Sequence, residues 1–389
     1  MRRGNQGTLL RMRGGGEEYR VYVPNGLPPS PPILLDQRLQ DLLERANRSL
    51  GRLDGLASVL PDLDLVLYFY VRKEAVLSSQ IEGTQSSLSD LLLFEELRAS
   101  QPSADVTEVS NYVAAMEHGL DRIRSGFPLS LRVLKEIHAI LLRSGRGSEK
   151  EPGEFRRSQN WLGGTRPGNA AFVPAPHEEV TRLMGELELF LHDTPVRTPT
   201  LLKAALAHLQ FETIHPFLDG NGRMGRLLVT LVLCAEGAIK DPLLYLSLYL
   251  KEQRATYYQL LDAVRAEGDW EAWLEFFLEG VVSTADEAAQ TARSILELFE
   301  SDRARLRAEG RAAGSLLRVH EHLQRHPVTT VAEMTRELGL STPAVLRSVD
   351  RLHQTGLVIE ITGKKRNRLF AYEAYMRLLS SGTESPLAS

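Results

Sequence analysis

Cysteine is almost missing: Cys234 is the only one in 389 residues, so the chain forms no internal disulfide and no cysteine-based zinc site. Its neighbours Leu231, Val232 and Leu233 mark that thiol as a small buried hydrophobe. Long apolar runs are missing too. The longest, residues 227–235, interrupts its leucines with a Thr and ends after nine residues, against the roughly 20 that a membrane span needs. No membrane partner is expected. No apolar stretch follows Arg2 and Arg3 as it would in a secretion signal, and the expected location is the cytoplasm. Neither sign of charge dominates: 46 basic and 50 acidic residues leave −4, which excludes a polycation that coats nucleic acid. With 30 Gly and 19 Pro, near background, and 43% hydrophobic residues, a fibrous or mainly disordered chain is excluded. The length allows two or three domains at about 150 residues each.

The first thirty residues are basic, then Gly-rich, then Pro-rich, and read as a mobile arm with one short strand over residues 19–23. From Asp36 the text turns helical. Leu39, Leu42, Leu43, Ala46, Leu50 and Leu53 recur at spacings of three and four, one face of an amphipathic helix. Further helices are expected over residues 63–81, 87–100, 108–124 and 130–144, then 176–192, 198–213, 245–266 and 270–309. Residues 153–176 break this pattern. Two β-favouring pieces, 159–162 and 171–173, flank a turn-rich Gly-Thr-Arg-Pro-Gly-Asn, which predicts a hairpin or flap. Residues 315–378 hold ten basic and six acidic side chains, so this piece is positive while the remainder is negative. Its pattern is three helices followed by two β-rich pieces joined through Gly363-Lys364-Lys365-Arg366-Asn367.

The informative segment is His215-Pro216-Phe217-Leu218-Asp219-Gly220-Asn221-Gly222-Arg223-Met224-Gly225-Arg226. A loop with two Gly and an Asn opens directly into an apolar helix, so backbone N–H groups and the positive helix end form an anion cradle. Arg223 and Arg226 stand on the first turn of that helix, where cations oppose the dipole; something negative should lie between them. Gly220-x-Gly222-x-x-Gly225 matches a dinucleotide fingerprint as a pattern, but that fingerprint must follow a strand, and here the preceding text is helical. A Walker loop is excluded because no Gly-Lys-Ser/Thr is present. Two readings remain: a helix connector with a satisfied histidine, or phosphoryl or nucleotidyl transfer with backbone amides on phosphates, Asp219 on Mg²⁺ and His215 as general base.

This segment closely resembles the Fic motif, His-x-Phe-x-Asp/Glu-Gly-Asn-Gly-Arg-x-x-Arg, and agrees at every defined position. The resemblance extends over about residues 34–372. It implies a mainly α fold: a mobile arm (1–33), an N-terminal helical region (34–110), a Fic core with a β-hairpin flap (111–310), a winged helix-turn-helix domain (311–378) and a tail (379–389). It implies transfer of AMP from ATP to a Ser, Thr or Tyr hydroxyl of target proteins, with self-modification and a homodimer as further expectations. His215 would deprotonate the hydroxyl and Asp219 would hold Mg²⁺. Asn221 with the amides of Gly220 and Gly222 would line the hole for the α-phosphate, and Arg223 and Arg226 would grip the β- and γ-phosphates. Tyr257, of the pair Tyr257-Tyr258, is the expected nucleotide contact. Gly163 and Gly164 fall in the flap, at the nucleotide site, where a target would dock through its backbone.

Ser78-Ser79-Gln80-Ile81-Glu82-Gly83 resembles the Fic inhibitory motif, which implies a brake built from Ser78, Glu82 and Gly83. Independently, a carboxylate at the negative end of a helix is better explained by a cationic partner than by propensity. In the C-terminal piece, Arg347 and Arg351 at i, i+4 and the wing residues Lys364, Lys365 and Arg366 form the electrostatic footprint of a DNA groove reader; the competing reading is a docking domain with solvated charges. His322 and His326 have the spacing of a zinc pair. However, Gln324 breaks the His-Glu-x-x-His pattern, and the expectation for His320, His322 and His326 is a surface helix face. Two other functions stay open: removal of AMP from modified proteins, and a DNA-binding regulator that only senses nucleotide.

Overall fold

The computed structural model describes residues 2–57, 63–97, 103–364 and 368–384. The N-terminal arm is a hairpin rather than a mobile segment with one short strand. It contains two strands, β1 (Gly7–Gly14) and β2 (Glu17–Pro24), paired antiparallel with Gly14 opposite Glu17. Gly15 and Gly16 both have positive φ, 60° and 83°, the backbone that a two-residue hairpin turn requires. The hairpin is docked: the Tyr22 N–H donates to the Val173 carbonyl at 2.9 Å, and Arg3 pairs with Glu271 at 2.5 Å.

The leucine spacing after Asp36 becomes α1 (Gln37–Ala57), and the Asp36 carboxylate caps it by accepting the Leu39 N–H at 2.9 Å. There follow α2 (Leu63–Ile81), α3 (Leu88–Leu97), α4 (Ala104–Arg124) and α5 (Leu131–Leu141). The expected division at 110/111 falls inside α4. The flap is less regular than a hairpin, with one antiparallel bridge between Leu162 and Phe172. Beyond it come α6 (His177–Leu191), α7 (Thr200–Ile214) and α8 (Asn221–Ala235). Every residue of α7 from Leu201 to Ile214 is buried; a helix apolar on all sides belongs at the centre of a core, and α6, α8 and the hairpin pack around it.

The expected helix over 245–266 is two, α9 (Ser247–Glu252) and α10 (Arg254–Glu267), broken at Gln253. The 38-residue α11 (Trp270–Arg307), about 57 Å long at 1.5 Å per residue, seats Trp273 and Phe277 in the core and carries Phe299, Asp302 and Leu306 out to the C-terminal unit. That unit comprises α12 (Ala313–Arg325), β3 (Val328–Thr330), α13 (Val331–Leu338), α14 (Thr342–Gln354), β4 (Val358–Glu360), β5 (Leu369–Tyr372) and α15 (Glu373–Ser380). Its strands form an antiparallel sheet in the order β3-β5-β4, the architecture of a winged helix; β3 and α15 were not anticipated. Tyr372 donates to Asp302 at 2.6 Å, and α15 brings the Tyr375 ring to 5.6 Å from Phe69 of α2. The chain then runs back to the core, where Gln80 Nε2 donates to the Thr383 carbonyl at 3.0 Å. Among the described residues, no helix is long and apolar enough to cross a membrane.

Candidate active site

The helix α7 ends on His215, whose backbone is left-handed at φ 52°, a conformation costly for a residue with a Cβ. Its surroundings over-determine it. The buried Arg156 donates from Nε to the His215 carbonyl at 2.9 Å and from Nη2 to the Ala175 carbonyl at 2.5 Å, and its N–H bonds the Pro216 carbonyl at 2.9 Å. Burial pushes the His215 imidazole down to about 4, and the charges of Arg156 and Arg265 act in the same direction. The ring is therefore neutral at physiological pH and able to accept a proton. Its Nδ1 is buried, which leaves Nε2 as the nitrogen for chemistry.

The loop after His215 is held from three sides. The Asn221 side chain spans it, accepting the Phe217 N–H at 2.9 Å and donating to the Phe217 carbonyl at 2.8 Å. The Asn221 side chain is thus engaged with the loop's own backbone, while the residue lines the cleft where the anion hole is expected. His138, fully buried, stacks on Phe217 at 3.7 Å. Its Nδ1 accepts the Gly153 N–H at 2.8 Å, so the proton sits on Nε2, which donates to the Asp219 carbonyl at 3.0 Å. Gly220, at φ 76°, turns the chain into α8. Asp219, a third exposed, accepts the Gly220 N–H on Oδ1 at 2.5 Å.

Both arginines of the first turn have found carboxylates. Arg223 donates to Glu108 at 3.1 Å, and Glu108 also accepts from Arg146 at 3.0 Å. Arg226, buried, donates from Nε to Ser78 Oγ at 2.8 Å and from Nη2 to the Ser78 carbonyl at 2.9 Å and Glu82 Oε1 at 2.7 Å. Burial raises the Glu82 carboxyl, but the Arg226 charge and hydrogen bond outweigh it and hold it below the ordinary range. A Cβ on Gly222 would stand 2.1 Å from Glu82 Oε1; the missing side chain is the space the carboxylate occupies. Gly83 sits exposed just beyond α2 with φ 98° and does no more than turn the chain. A cleft of about 280 Å³ is lined by Glu82, Arg146, Leu162, His215, Asp219, Gly220, Gly222 and Arg223 among others.

Two expected contacts lie elsewhere. Tyr257 is buried, with its hydroxyl 2.9 Å from His208 Nε2 and its ring against Trp273; it packs, and Tyr258 is the exposed member of the pair. Gly163 and Gly164 form an exposed turn at φ 66° and 79° and do not line the cleft, where the flap contributes Leu162. Several buried groups escaped sequence reasoning: Glu108, His138, Arg156, and above all Glu212. Burial raises the Glu212 carboxyl to about 7 beside Arg226 and Glu82, and its Oε1 has no hydrogen-bond partner among the described residues.

In the winged helix, Arg347 and Lys364 are exposed, whereas Arg351 is paired with Glu309 at 2.8 Å. Lys365 and Arg366 lie outside the described residues. The histidines of α12 are not a surface face: His320 and His322 are buried, His320 against the Tyr372 hydroxyl and His322 against Thr329. Apolar packing of α12 against α11 and α14 turns that side of the helix inward.

A central buried helix pair has a connecting loop that converges an imidazole, a carboxylate and a helix N-terminus, with a winged helix behind it. Residues 40–121 match the Fic/DOC family N-terminal model, 128–233 the Fic/DOC family model, and 315–359 a model described as winged helix-turn-helix DNA-binding. The chain thus carries Fic/DOC domains over residues 40–121 and 128–233. Its relatives include proteins named protein adenylyltransferase Fic from Drosophila erecta, 28% identical over 65% of this chain and 48% of that one, and from Drosophila mojavensis, 29% identical over 65% and 47%. The chain thus spans about half the length of the curated relatives it matches. A Fic family protein from Desulfovibrio desulfuricans shares the fold with a TM-score of 0.56 at 20% identity, over 88% of this chain and 97% of that one. A Fic domain containing signaling protein from Bacteroides thetaiotaomicron gives 0.50 at 19% identity, over 66% and 97%.

Proposed function

We propose that this protein transfers AMP from ATP to a hydroxyl side chain of target proteins and of itself, in the cytoplasm, under restraint by Glu82. What supports this reading is the convergence of His215, Asp219 and the α8 N-terminus on one cleft. A neutral His215 takes the proton of the incoming hydroxyl as its oxygen attacks the α-phosphorus; the bond to the β-phosphate breaks and pyrophosphate leaves. General-base help of this kind contributes roughly 10²–10⁴-fold. The Gly222 N–H and the helix end donate to the phosphates, joined by the Gly220 N–H once it leaves Asp219 Oδ1, and fixed donors of this type are the larger catalytic contribution. A single partly exposed carboxylate, Asp219, suits Mg²⁺, which takes one or two protein carboxylates and completes its shell with substrate phosphates and water. Bound there, Mg²⁺ would neutralise phosphate charge.

Glu82 restrains the reaction by occupying Arg226, the arginine that a γ-phosphate would otherwise use. With the phosphate tail displaced, the α-phosphorus is out of line with the attacking hydroxyl, and alignment contributes on the order of 7–11 kcal/mol. The test is incorporation of α-phosphate-labelled ATP into the protein and into lysate proteins. Glu82→Gly should raise labelling at least about tenfold, a small part of that alignment energy. If Glu82→Gly labels no better than wild type, the brake is refuted, and Glu82 beside His215 serves instead to orient water for AMP removal.

A further inference from the structure

The two helix C-termini that meet in the winged helix carry a cluster with no assigned purpose. His322 and His326 stand one turn apart at the end of α12, and Glu337 stands in the last turn of α13. Helix C-termini are negative ends, so their meeting is a place that draws a cation, and a carboxylate there is otherwise unfavourable. Glu337 Oε2 lies 3.3 Å from His322 Nδ1 and 3.5 Å from His326 Nε2. The other Glu337 oxygen is taken by Arg336 at 3.6 Å. One carboxylate oxygen therefore faces two imidazole nitrogens.

The hydrogen bonds around His322 favour the tautomer that presents a lone pair to the carboxylate. His322 Nε2 lies 3.0 Å from Thr329 Oγ1, and that hydroxyl donates to Glu333 at 3.5 Å. The Thr329 oxygen thus accepts from Nε2–H, and the lone pair of His322 is on Nδ1, pointing at the carboxylate. Two lone pairs facing at 3.3 Å repel unless something positive lies between them. Protonating both rings would set two charges in stacked imidazoles with centroids 4.7 Å apart, one of them buried. A single divalent cation satisfies all three groups at once. Bonds of 2.0–2.1 Å in a tetrahedron place ligand atoms roughly 3.3–3.4 Å apart; the two carboxylate–imidazole separations, 3.3 and 3.5 Å, lie close to this, and all three ligand atoms fall within 4.8 Å of one another.

We propose that His322, His326 and Glu337 form a site for Zn²⁺ or a similar d-block divalent ion, clamping α12 to α13 and leaving a fourth position open to water. Two imidazoles and one carboxylate with an open position are a zinc-type donor set, and imidazole selects this class over Mg²⁺. The Glu333–Thr329–His322 chain supplies the outer hydrogen bonds that fix a metal-binding histidine. Side chains of His326 and Glu337 are 38% and 37% exposed, which gives the ion a way in.

The experiment uses the full chain, stripped with chelator and titrated with Co²⁺ without nucleotide, reading the visible bands of tetrahedral Co²⁺ and the bound stoichiometry after dialysis. One equivalent is expected, displaced by Zn²⁺. His326→Ala and Glu337→Gln, both at half-exposed positions, should abolish the bands, and Thr329→Val should weaken binding about 10-fold. Asp219→Asn should change neither reading. Absence of tetrahedral bands in the wild type, their persistence in both His326→Ala and Glu337→Gln, or their loss in Asp219→Asn would each overturn the assignment.

Discussion

Gly222 offers the sharpest stability test of the Glu82 contact. A Cβ added there would meet Glu82 Oε1 at 2.1 Å and Arg226 Nη1 at 3.1 Å. Alanine must therefore push the carboxylate off Arg226 or displace the α8 start. Arg226 keeps its two bonds to Ser78, and the Glu82 side chain is 31% exposed and can swing outward. The cost thus falls below the roughly 3–5 kcal/mol of a fully broken buried pair and within the roughly 1–3 kcal/mol of overpacking. In a Glu82→Gly background the obstructing oxygen is gone, and the same alanine should cost less than about 0.5 kcal/mol, the level of an uncoupled change. At about 2–4 °C per kcal/mol, Gly222→Ala should lower the thermal midpoint by several degrees in the wild type and by a degree or so with Glu82→Gly. A double-mutant cycle by differential scanning fluorimetry measures the difference. Equal shifts in the two backgrounds would show that Gly222 and Glu82 do not share that space.

Three further outcomes follow from the same geometry. His215→Ala should abolish AMP labelling while a fluorescent ATP analogue still binds; His215→Asn, which tolerates the left-handed backbone better, separates loss of the base from loop collapse. For DNA, Arg347→Ala with Lys364→Ala should reduce the salt slope of binding by up to about two, near one per phosphate contact, whereas Arg351→Ala, already paired with Glu309, should change it little; shift assays at several salt concentrations decide. Two sets of buried groups make stability depend on pH with opposite signs. His138, His208, His215 and His320 are pushed down to about 4 by burial, so the unfolded chain binds more protons and stability falls as the pH drops from about 6.5 toward 4. Glu74 and Glu212, raised to about 7 by burial, bind protons more tightly when folded and erode stability as the pH rises from about 4.5 to 7. The four histidines outweigh the two carboxyls, so urea midpoints should climb from pH 4 and level off near pH 7, less steeply than the histidines alone would give.

The candidate loop at 215–226 stands out in the sequence because its residues are contiguous and their types fit one task. Glu82 was legible because a helix end makes a carboxylate conspicuous. The supporting charges were not, since Glu108 and Arg156 look like solvated residues until the fold brings Arg223 and the His215 carbonyl to them. Glu212 had a signal that went unused: it sits in a stretch apolar on every side, where any polar residue is buried of necessity. Tyr257 shares the spacing of Leu261 and Val264, the buried stripe of α10, so its inward direction was readable from periodicity alone. The N-terminal hairpin was hidden by its composition, although the glycines at 14–16 between two β-capable runs were the turn signal.

The winged helix is joined to the core by the unbroken α11, by the packing of α15 on α2 and α3, and by the tail segment bonded to Gln80, two residues before Glu82. It is therefore closed into a ring with the restraining turn rather than hung from a tether. In thermodynamic terms the turn at Glu82 and the C-terminal unit share one hydrogen-bonded junction, and linkage across a junction is reciprocal. A ligand of the C-terminal unit that released the tail and thereby freed the turn would strengthen ATP binding at Arg226 by the same factor by which ATP would strengthen that ligand's own binding. A ligand indifferent to the tail transmits nothing, however tightly it binds.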